Sequence, residues 1–442
     1  MSGSVNDDST SAQGLKQLKD SSNGQVVSPE TAPPREHESY EDREDYLREL
    51  RLFLESLCCD VCRFRHVVED RIAPDEVRIR QEVSLGIPGA FADISVTIPH
   101  QAPYFVEVKY GYTKDAIVAA MSRKFGASTA ESPRASRVLL LVGSDVLREW
   151  TDFRPELEAV IHPGLELEVW DENRLFESVH KYFNVKPTSL GENDMSLLRS
   201  AIDRVKGAQA FGSEFTEDPL QVSLLWNFSF WDLRRLHESG RSSREMMPPG
   251  SYKGVVSLFA DLSCFSSYVR DTRDEKVVRQ VLTAFYAKTR HQITDFGGML
   301  YQFLGDGVMA LFGLPMQRGG YIESALECGR AMLEIGDSVA TQWQRRIDHV
   351  EKSAGCHVGI AIGDLNMMSL RPFSRLYMGA IADSLNMASR LADAATAGEI
   401  VVSNTFYQRL TAVDQRAFAR MDPIEAHNMG ALRAWKLTRR SA

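Results

Sequence analysis

Hydrophobic positions along this 442-residue chain change period more than once, and each change marks a different kind of structure. From Ser39 to about Val67, Tyr46, Leu47, Leu50, Leu52, Phe53, Leu54, Leu57 and Val61 recur at helical spacing among charges, which predicts an amphipathic helix. Shorter apolar runs follow. Strands are predicted at Val77–Leu85, Ala90–Ile98, Tyr104–Lys109, Arg137–Val142 and Leu165–Trp170. Helical spacing returns at Lys114 to about Phe125 and at Asn173–Phe183. The unbroken apolar run at 137–142 is of the kind found in parallel strands covered on both faces. This part reads as an α/β domain.

The middle of the chain is less regular. Asn193–Ala210 fits one helix, and the aromatic-rich stretch Val222–Leu236 is expected to dock on a domain. Ser239–Gly250 mixes Ser, Arg and Gly and ends in Pro-Pro-Gly, as a linker does.

From Val255 the pattern becomes a strand, a helix over Asp274–Phe296 closed by Gly297-Gly298, and two strands at 299–304 and 308–312. Gly305-Asp306-Gly307 makes the hairpin between them. A helix from Tyr321 to about Val339, a strand Val358–Ile362, a helix Asp383–Ala394 and a strand Glu399–Ser403 come next. Ser403 or Asn404 caps a further helix, and Ala431–Leu437 is the last strand. The order β-α-β-β-α-β-α-β-α-β predicts an α+β fold with helices packed on a mainly antiparallel sheet. The expected organisation is thus a tail (1–38), an α/β domain (39–185), a helical connector (186–250) and an α+β domain (251–438).

Composition narrows the function classes. Residues are 43% hydrophobic and 25% charged, the balance of a soluble protein with two or three cores. Residues 1–38 are polar with almost no aromatics, and disorder is expected there. A net charge of −9 argues against general nucleic-acid binding, which needs clustered Lys and Arg. With no signal pattern and no apolar run of about 18 residues, no membrane partner is expected and a cytoplasmic location is. Six cysteines do not make a disulfide framework in a chain of this size. Cys58, Cys59 and Cys62, with His66 behind them, read as core thiols beside Leu54, Leu57 and Val61 rather than as a zinc site, because no second pair exists.

Chemistry concentrates in the last domain. Asp261 and Asp306 stand at the ends of strands flanked by Val, Leu and Phe. Carboxylates there are poorly explained as solvated groups and well explained as ligands of hard divalent cations at a two-metal phosphoryl site. Asn386 and Arg390, four residues apart, share one helix face.

Three segments carry a family resemblance: FADLSCFS (259–266), FLGDGVMALFG (303–313) and DSLNMASRL (383–391). In this order and spacing they resemble the core motifs of class III nucleotide cyclases, across about residues 251–438. The resemblance implies that Asp261 and Asp306, with the Leu262 main chain, bind two divalent cations, Mn²⁺ or Mg²⁺. It implies that Asn386 orients the ribose, that Arg390 stabilises the α-phosphate, and that the backbone through Phe265 cradles the triphosphate. Because one chain carries one such domain, it further implies a homodimer with its sites at the interface.

At the family's base-reading positions stand Gln302 and Gly379, neither the pair typical of adenylate cyclases nor that of guanylate cyclases. Gln302 can donate to uracil O4 and accept from N3–H, which suits a pyrimidine. His427 stands where many members have a phosphate-gripping Lys, and Cys264 where the usual residue is Gly.

In the first domain, Asp93, Glu107 and Lys109 form an Asp…Glu-x-Lys pattern on neighbouring strands. This resembles the PD-(D/E)XK restriction-endonuclease-like fold over about residues 40–185, as an active nuclease or as a vestigial site kept for sensing or scaffolding. Together the two domains resemble the pyrimidine cyclases of bacterial antiphage (Pycsar) signalling. The implied reaction turns UTP into 3′,5′-cyclic UMP and diphosphate, read by a separate cyclic-nucleotide effector. A cytidylate or adenylate cyclase, or an inactive cyclase-like sensor attached to a metal-dependent nuclease, remain the alternatives.

Overall fold

The computed structural model describes residues 40–126, 135–149, 153–187, 189–272, 274–347, 353–370, 377–426 and 430–438. The tail 1–38 and His427 lie outside them. The chain divides into two compact units, Met1–Glu44 and Asp45–Ala442; of the first, only the start of one helix is described.

The predicted amphipathic helix is α1 (Tyr40–Val68). A five-stranded sheet follows, built from β1 (Arg78–Ser84), β2 (Phe91–Thr97), β3 (Tyr104–Val108), β4 (Arg137–Leu141) and β5 (Glu166–Trp170) in sequence order. The first three pair antiparallel and the last three parallel. Helices α2 (Lys114–Phe125), α3 (Ser144–Glu149), α4 (Phe153–Val160) and α5 (Glu172–Phe183) complete this part. Both faces of the sheet are covered, which is why β4 reads as a continuous apolar run. Val138 and Leu140 join α2 and α4 in one core, while Leu139 and Leu141 join α1 in another.

The connector is α6 (Glu192–Phe211), α7 (Pro219–Asn227), α8 (Phe230–Glu238) and α9 (Ser243–Met246). The aromatic stretch does dock, with Leu224, Phe228, Phe230, Leu233 and Leu236 all buried. It breaks in two because Phe228 and Ser229 turn extended. The stretch read as a linker holds α9 and buries Met246 and Met247.

The second sheet is built from β6 (Gly250–Ser263), β7 (Met299–Leu304), β8 (Gly307–Phe312), β9 (Gly355–Leu370), β10 (Tyr377–Ile381), β11 (Glu399–Ser403), the short edge strand β12 (Ala419–Arg420) and, between β11 and β12, Ala434–Thr438. Its pairing is antiparallel except where β11 lies parallel to β9. The helices are α10 (Phe265–Asp271), α11 (Glu275–Asp295), α12 (Tyr321–Ile347), α13 (Asp383–Asp393), α14 (Asn404–Tyr407) and α15 (Ala412–Gln415). The predicted last strand is interrupted at Arg433, leaving Gly430–Leu432 paired with Ile424–Ala426 as a separate ribbon.

Strand β6 sorts its side chains by parity. Val256, Leu258, Ala260 and Leu262 enter the core formed with α11 and α12. The opposite face carries Ser257, whose hydroxyl lies 3.0 Å from that of Ser384 on α13. Helix α13 sits this close because Gly359 has no side chain: a Cβ there would collide with the Ala388 carbonyl and the Ala392 nitrogen.

The two sheets are bound through α11. β1 is an edge strand, and its open main-chain groups are satisfied by helix side chains rather than by another strand. Gln81 N–H donates to Gln292 Oε1 at 3.1 Å, Gln292 Nε2 donates to the Ile79 carbonyl at 3.0 Å, and Ile79 N–H donates to Asp295 Oδ2 at 3.1 Å. Arg63 of α1 closes on the same Asp295. Two turns away Lys288 is buried between Glu55 of α1, at 2.8 Å, and Glu82 of β1, which also accepts from Ser338 of α12 at 2.6 Å. Burial disfavours the Lys288 ammonium, but the two carboxylates outweigh it and raise its pKa. Burial pushes Glu55 up to about 7, with Lys288 pulling the other way. No helix among the described residues is long and apolar enough to cross a membrane.

Removing one member of a buried ion cluster strands the others. Lys288→Met is expected to cost about 3–5 kcal/mol in urea unfolding, and adding Glu55→Gln and Glu82→Gln should recover a large part. A neutral Lys288→Met would show that this cluster does not join the sheets.

Candidate active site

β6 delivers Asp261 to its end, on the face turned toward α13, and the β7–β8 hairpin delivers Asp306. The register places Asp261 opposite Gly307, and Leu262 N–H donates to the Asp306 carbonyl at 3.3 Å. This approach needs Gly307, because a Cβ there would stand 2.8 Å from Asp261 Oδ1. Tyr286 of α11 stacks on Phe303, with centroids 4.1 Å apart, and donates to the Gly305 carbonyl, bracing the turn.

Burial, then the nearby Asp306 and Asp393 carboxylates, pushes the Asp261 carboxyl up to about 7. Burial also raises Asp306, against a main-chain hydrogen bond and His357. His357 is a neighbour that sequence reading missed. It lies opposite Asp261 on β9, with Nε2 3.7 Å from Asp261 Oδ2 and Nδ1 2.9 Å from Ser263 Oγ. Burial holds it below the ordinary imidazole range, so it is neutral here near pH 7. Asp393, at the end of α13, was also missed. Only strand register and helix placement reveal either residue, since no spacing in the sequence ties them to Asp261.

Two carboxylates forced together, one of them reluctant to ionise, are a donor set that a hard cation would relieve. No group of three or more His, Cys, Asp or Glu side chains positioned to hold a metal occurs among the described residues. The pair therefore fits cations that complete their shell with main-chain, water and phosphate oxygens. Cys58, Cys59 and Cys62 are buried, with burial raising each thiol, as core cysteines.

The other expected site residues are placed as follows. Leu262 is buried, and Phe265 opens α10 edge-on to Trp343 of α12, centroids 5.7 Å apart. Asn386 and Arg390 lie on the exposed face of α13, and Arg390 pairs with Asp393 at 3.3 Å. Among the described residues neither bonds to Asp261 or Asp306. Gln302 is exposed on β7 and Gly379 is buried on β10. Their strands meet, because Ala380 N–H donates to the Tyr301 hydroxyl at 3.0 Å.

In the first sheet Asp93, Glu107 and Lys109 do come together, and Lys124 of α2 joins them. Lys109 Nζ is 2.8 Å from Asp93 and 2.6 Å from Glu107; Lys124 Nζ is 3.3 Å and 2.6 Å from the same two. Burial raises Asp93, but the two ammoniums outweigh it and hold the carboxyl well below its usual range. Each acid is already neutralised by lysine.

Residues 247–438 match the family model of the adenylate and guanylate cyclase catalytic domain. Adenylate cyclase 1 of Rhizobium meliloti (strain 1021) is 26% identical over 138 residues, 31% of this chain and 20% of that protein. The chain thus spans about a fifth of that relative's length. Among solved structures, the adenylyl cyclase CyaB from P. aeruginosa is 22% identical, covering 43% of this chain and 98% of that one with a TM-score of 0.37. The guanylyl cyclase Cya2 is also 22% identical, covering 44% and 96% with a TM-score of 0.37.

Two outcomes test this geometry. Because its folded-state pKa is raised, Asp261 weakens the metal-free fold progressively as pH climbs from about 4 through 7. Asp261→Asn should therefore raise the metal-free Tm near pH 8 by several degrees, about 2–4 °C for each kcal/mol relieved. A gain no larger near pH 8 than near pH 4 would rule out the crowded pair. Cys264 sits at φ +63°, in the left-handed region. Cys264→Gly should stabilise by about 1 kcal/mol in urea unfolding, and a loss of stability would show that the thiol's contacts outweigh the strain.

Proposed function

Taking residues 247–438 as a class III nucleotide cyclase catalytic domain, we propose that the protein is a pyrimidine nucleotide cyclase converting UTP to 3′,5′-cyclic UMP and diphosphate. The observation that carries the cyclase reading is the Asp261–Asp306 pair at adjoining strand ends, electrostatically crowded without a cation. Two divalent cations, Mn²⁺ or Mg²⁺, held by Asp261, Asp306 and the Leu262 main chain would activate the ribose 3′-hydroxyl and neutralise phosphate charge. Arg390 presents a fork of donors to the negative charge that develops on the α-phosphate, and Asn386 can both donate to and accept from the ribose. The main chain through Phe265 lies beside the triphosphate, and His427 takes the place of the phosphate-gripping lysine.

Asn386 and Arg390 are exposed and, among the described residues, bond to neither Asp261 nor Asp306 of their own chain, Arg390 pairing with Asp393 instead, which supports their serving a partner's metal acids in a homodimer with two equivalent sites. The uracil reading rests on Gln302 standing beside the strand of Gly379, where an amide can pair with O4 and N3–H and no side chain opposes the base. In this reading the product is a second messenger for a separate effector in bacterial antiviral defence. The organisation is a tail, a sensing α/β domain (39–185), a connector (186–250) and the cyclase domain (251–438).

Purified protein with Mn²⁺ should release diphosphate and a cyclic nucleotide from UTP, and much less from CTP, GTP or ATP. Product from ATP alone would overturn the base assignment. Asp261→Ala should lower turnover by at least a hundredfold, as expected when charge stabilisation at the reacting phosphate is lost. Mixing Asp306→Ala with Arg390→Ala chains in equal amounts should restore about one quarter of wild-type sites, because about half of the dimers are then mixed and each mixed dimer carries one intact site of two. No recovery on mixing would exclude the shared site.

A further inference from the structure

A cavity of about 670 Å³ lies between the two sheets' helices, walled by α1, α2, α11 and α12 and floored by Asp93 and Lys109. Eight of its lining side chains are basic and four acidic, in a chain that is acidic overall. The lysines among them are taken, since Lys109 and Lys124 close on Asp93 and Glu107, and Lys288 on Glu55 and Glu82. Two of the arginines, Arg123 and Arg345, are not matched in this way. Arg123 has no acidic partner among the described residues, and Arg345 donates only to the Gly89 carbonyl, at 3.3 Å. Arg48 and Arg346 share one acid, Asp45, at 3.4 and 3.6 Å. Burial, and then the Arg48 charge beside it, lowers the pKa of Arg346.

A second observation points to a missing partner. Gln280 of α11 is only 8% exposed, lines the cavity and accepts from Arg346 through Oε1 at 2.8 Å, yet its Nε2 donor has no partner among the described residues. An unmatched buried donor and convergent guanidinium forks are what a phosphate group satisfies. At the rim, Arg51 lies 4.7 Å above the exposed ring of Tyr112, offering planar surfaces to a base. The volume suits one ligand of nucleotide size and excludes a duplex.

We propose that this cavity is a second, regulatory site that binds a nucleoside phosphate, either a free nucleotide or the phosphorylated end of a strand, and that its occupancy sets the activity of the cyclase domain. The regulatory half of the proposal rests on the cyclase reading; the binding half does not. The connection is physical. Arg345 and Arg346 share the last turns of α12 with Trp343, which stacks on Tyr268 at 4.8 Å, meets Phe265 edge-on and donates to Thr272 Oγ1 at 2.9 Å. Those three residues belong to the segment that follows Asp261. A ligand drawing α1, α2 and α12 together moves the helix on which that segment leans.

Calorimetry on the full chain in EDTA, which withholds the cations a triphosphate site needs, tests the binding half. The probes are AMP, a 5′-phosphorylated deoxyadenosine dinucleotide and adenosine. A phosphorylated probe should bind once per chain, adenosine at least tenfold more weakly. Arg123→Gln with Arg345→Gln, both exposed and outside the catalytic site, should weaken binding at least tenfold at unchanged Tm, whereas Asp306→Asn should not. Preference for AMP identifies a free nucleotide, and preference for the dinucleotide a strand end. The site is excluded if neither phosphorylated probe binds, if adenosine binds equally, or if Asp306→Asn abolishes binding and the arginine variant does not. For regulation, the bound probe should change nucleotide turnover at least threefold in the wild type and not in the arginine variant, whose ligand-free rate stays the same. No change overturns the regulatory half. A chain that turns over no nucleotide but binds AMP in the cavity refutes the cyclase reading and leaves this site standing.

Discussion

Helix α11 carries two obligations at once, and the arrangement of the rest follows from that. One face supplies Val281, Phe285 and Ile293 to the core beneath β6 and β8, the strands that bring Asp261 and Asp306 together. Another face closes the open edge of β1 with Gln292 and Asp295 and buries Lys288 against Glu55 and Glu82. An unpaired strand edge and an unpaired buried ammonium are both expensive, so neither sheet can shift along α11 without exposing them to that penalty. The two sheets are consequently held in a fixed relation, in one continuous core that runs from Leu47 on α1 to Leu385 on α13.

The carboxylate pair illustrates how a candidate site is assembled from unfavourable parts. Register puts Asp261 opposite Gly307, and glycine is what permits the approach. Burial, and then the resulting repulsion, push Asp261 up to about 7, a cost that a cation would relieve. Meanwhile Asn386 and Arg390 stand on the solvent face of α13, and Gln302 stands exposed on β7. Among the described residues of a single chain, Asp261 and Asp306 therefore receive no bond from Asn386 or Arg390, an arrangement that a symmetric pair of chains would complete.

The acidic cluster of the first sheet behaves differently. Asp93 and Glu107 also converge, but Lys109 and Lys124 neutralise them from two sides. The same residue types thus support a lysine-neutralised polar cluster in one sheet and an electrostatically crowded pair in the other. The difference lies in whether cations are built into the protein. Beside this cluster, Arg123 of α2 and Arg345 of α12 face the cavity with no acidic partner among the described residues.

Much of this was legible in the chain. The helical spacing of α1, the apolar run of β4, the Gly-Asp-Gly hairpin and the four-residue spacing of Asn386 and Arg390 are local patterns, because period and turn chemistry are set by neighbouring residues. What local patterns leave open is pairing between distant segments. His357 belongs beside Asp261 only through β6–β9 register, and Lys124 beside Asp93 only through the packing of α2. Helix α11 reads as an ordinary amphipathic helix, since nothing near Gln292 or Lys288 in sequence shows that a distant strand edge and two distant glutamates await them. The sequence by itself marked the main periodic elements, the Gly-Asp-Gly hairpin and the two acids at strand ends. Only the tertiary structure decided which charges are matched internally and which are left for a ligand, because burial and pairing are properties of segments brought together and not of any one of them.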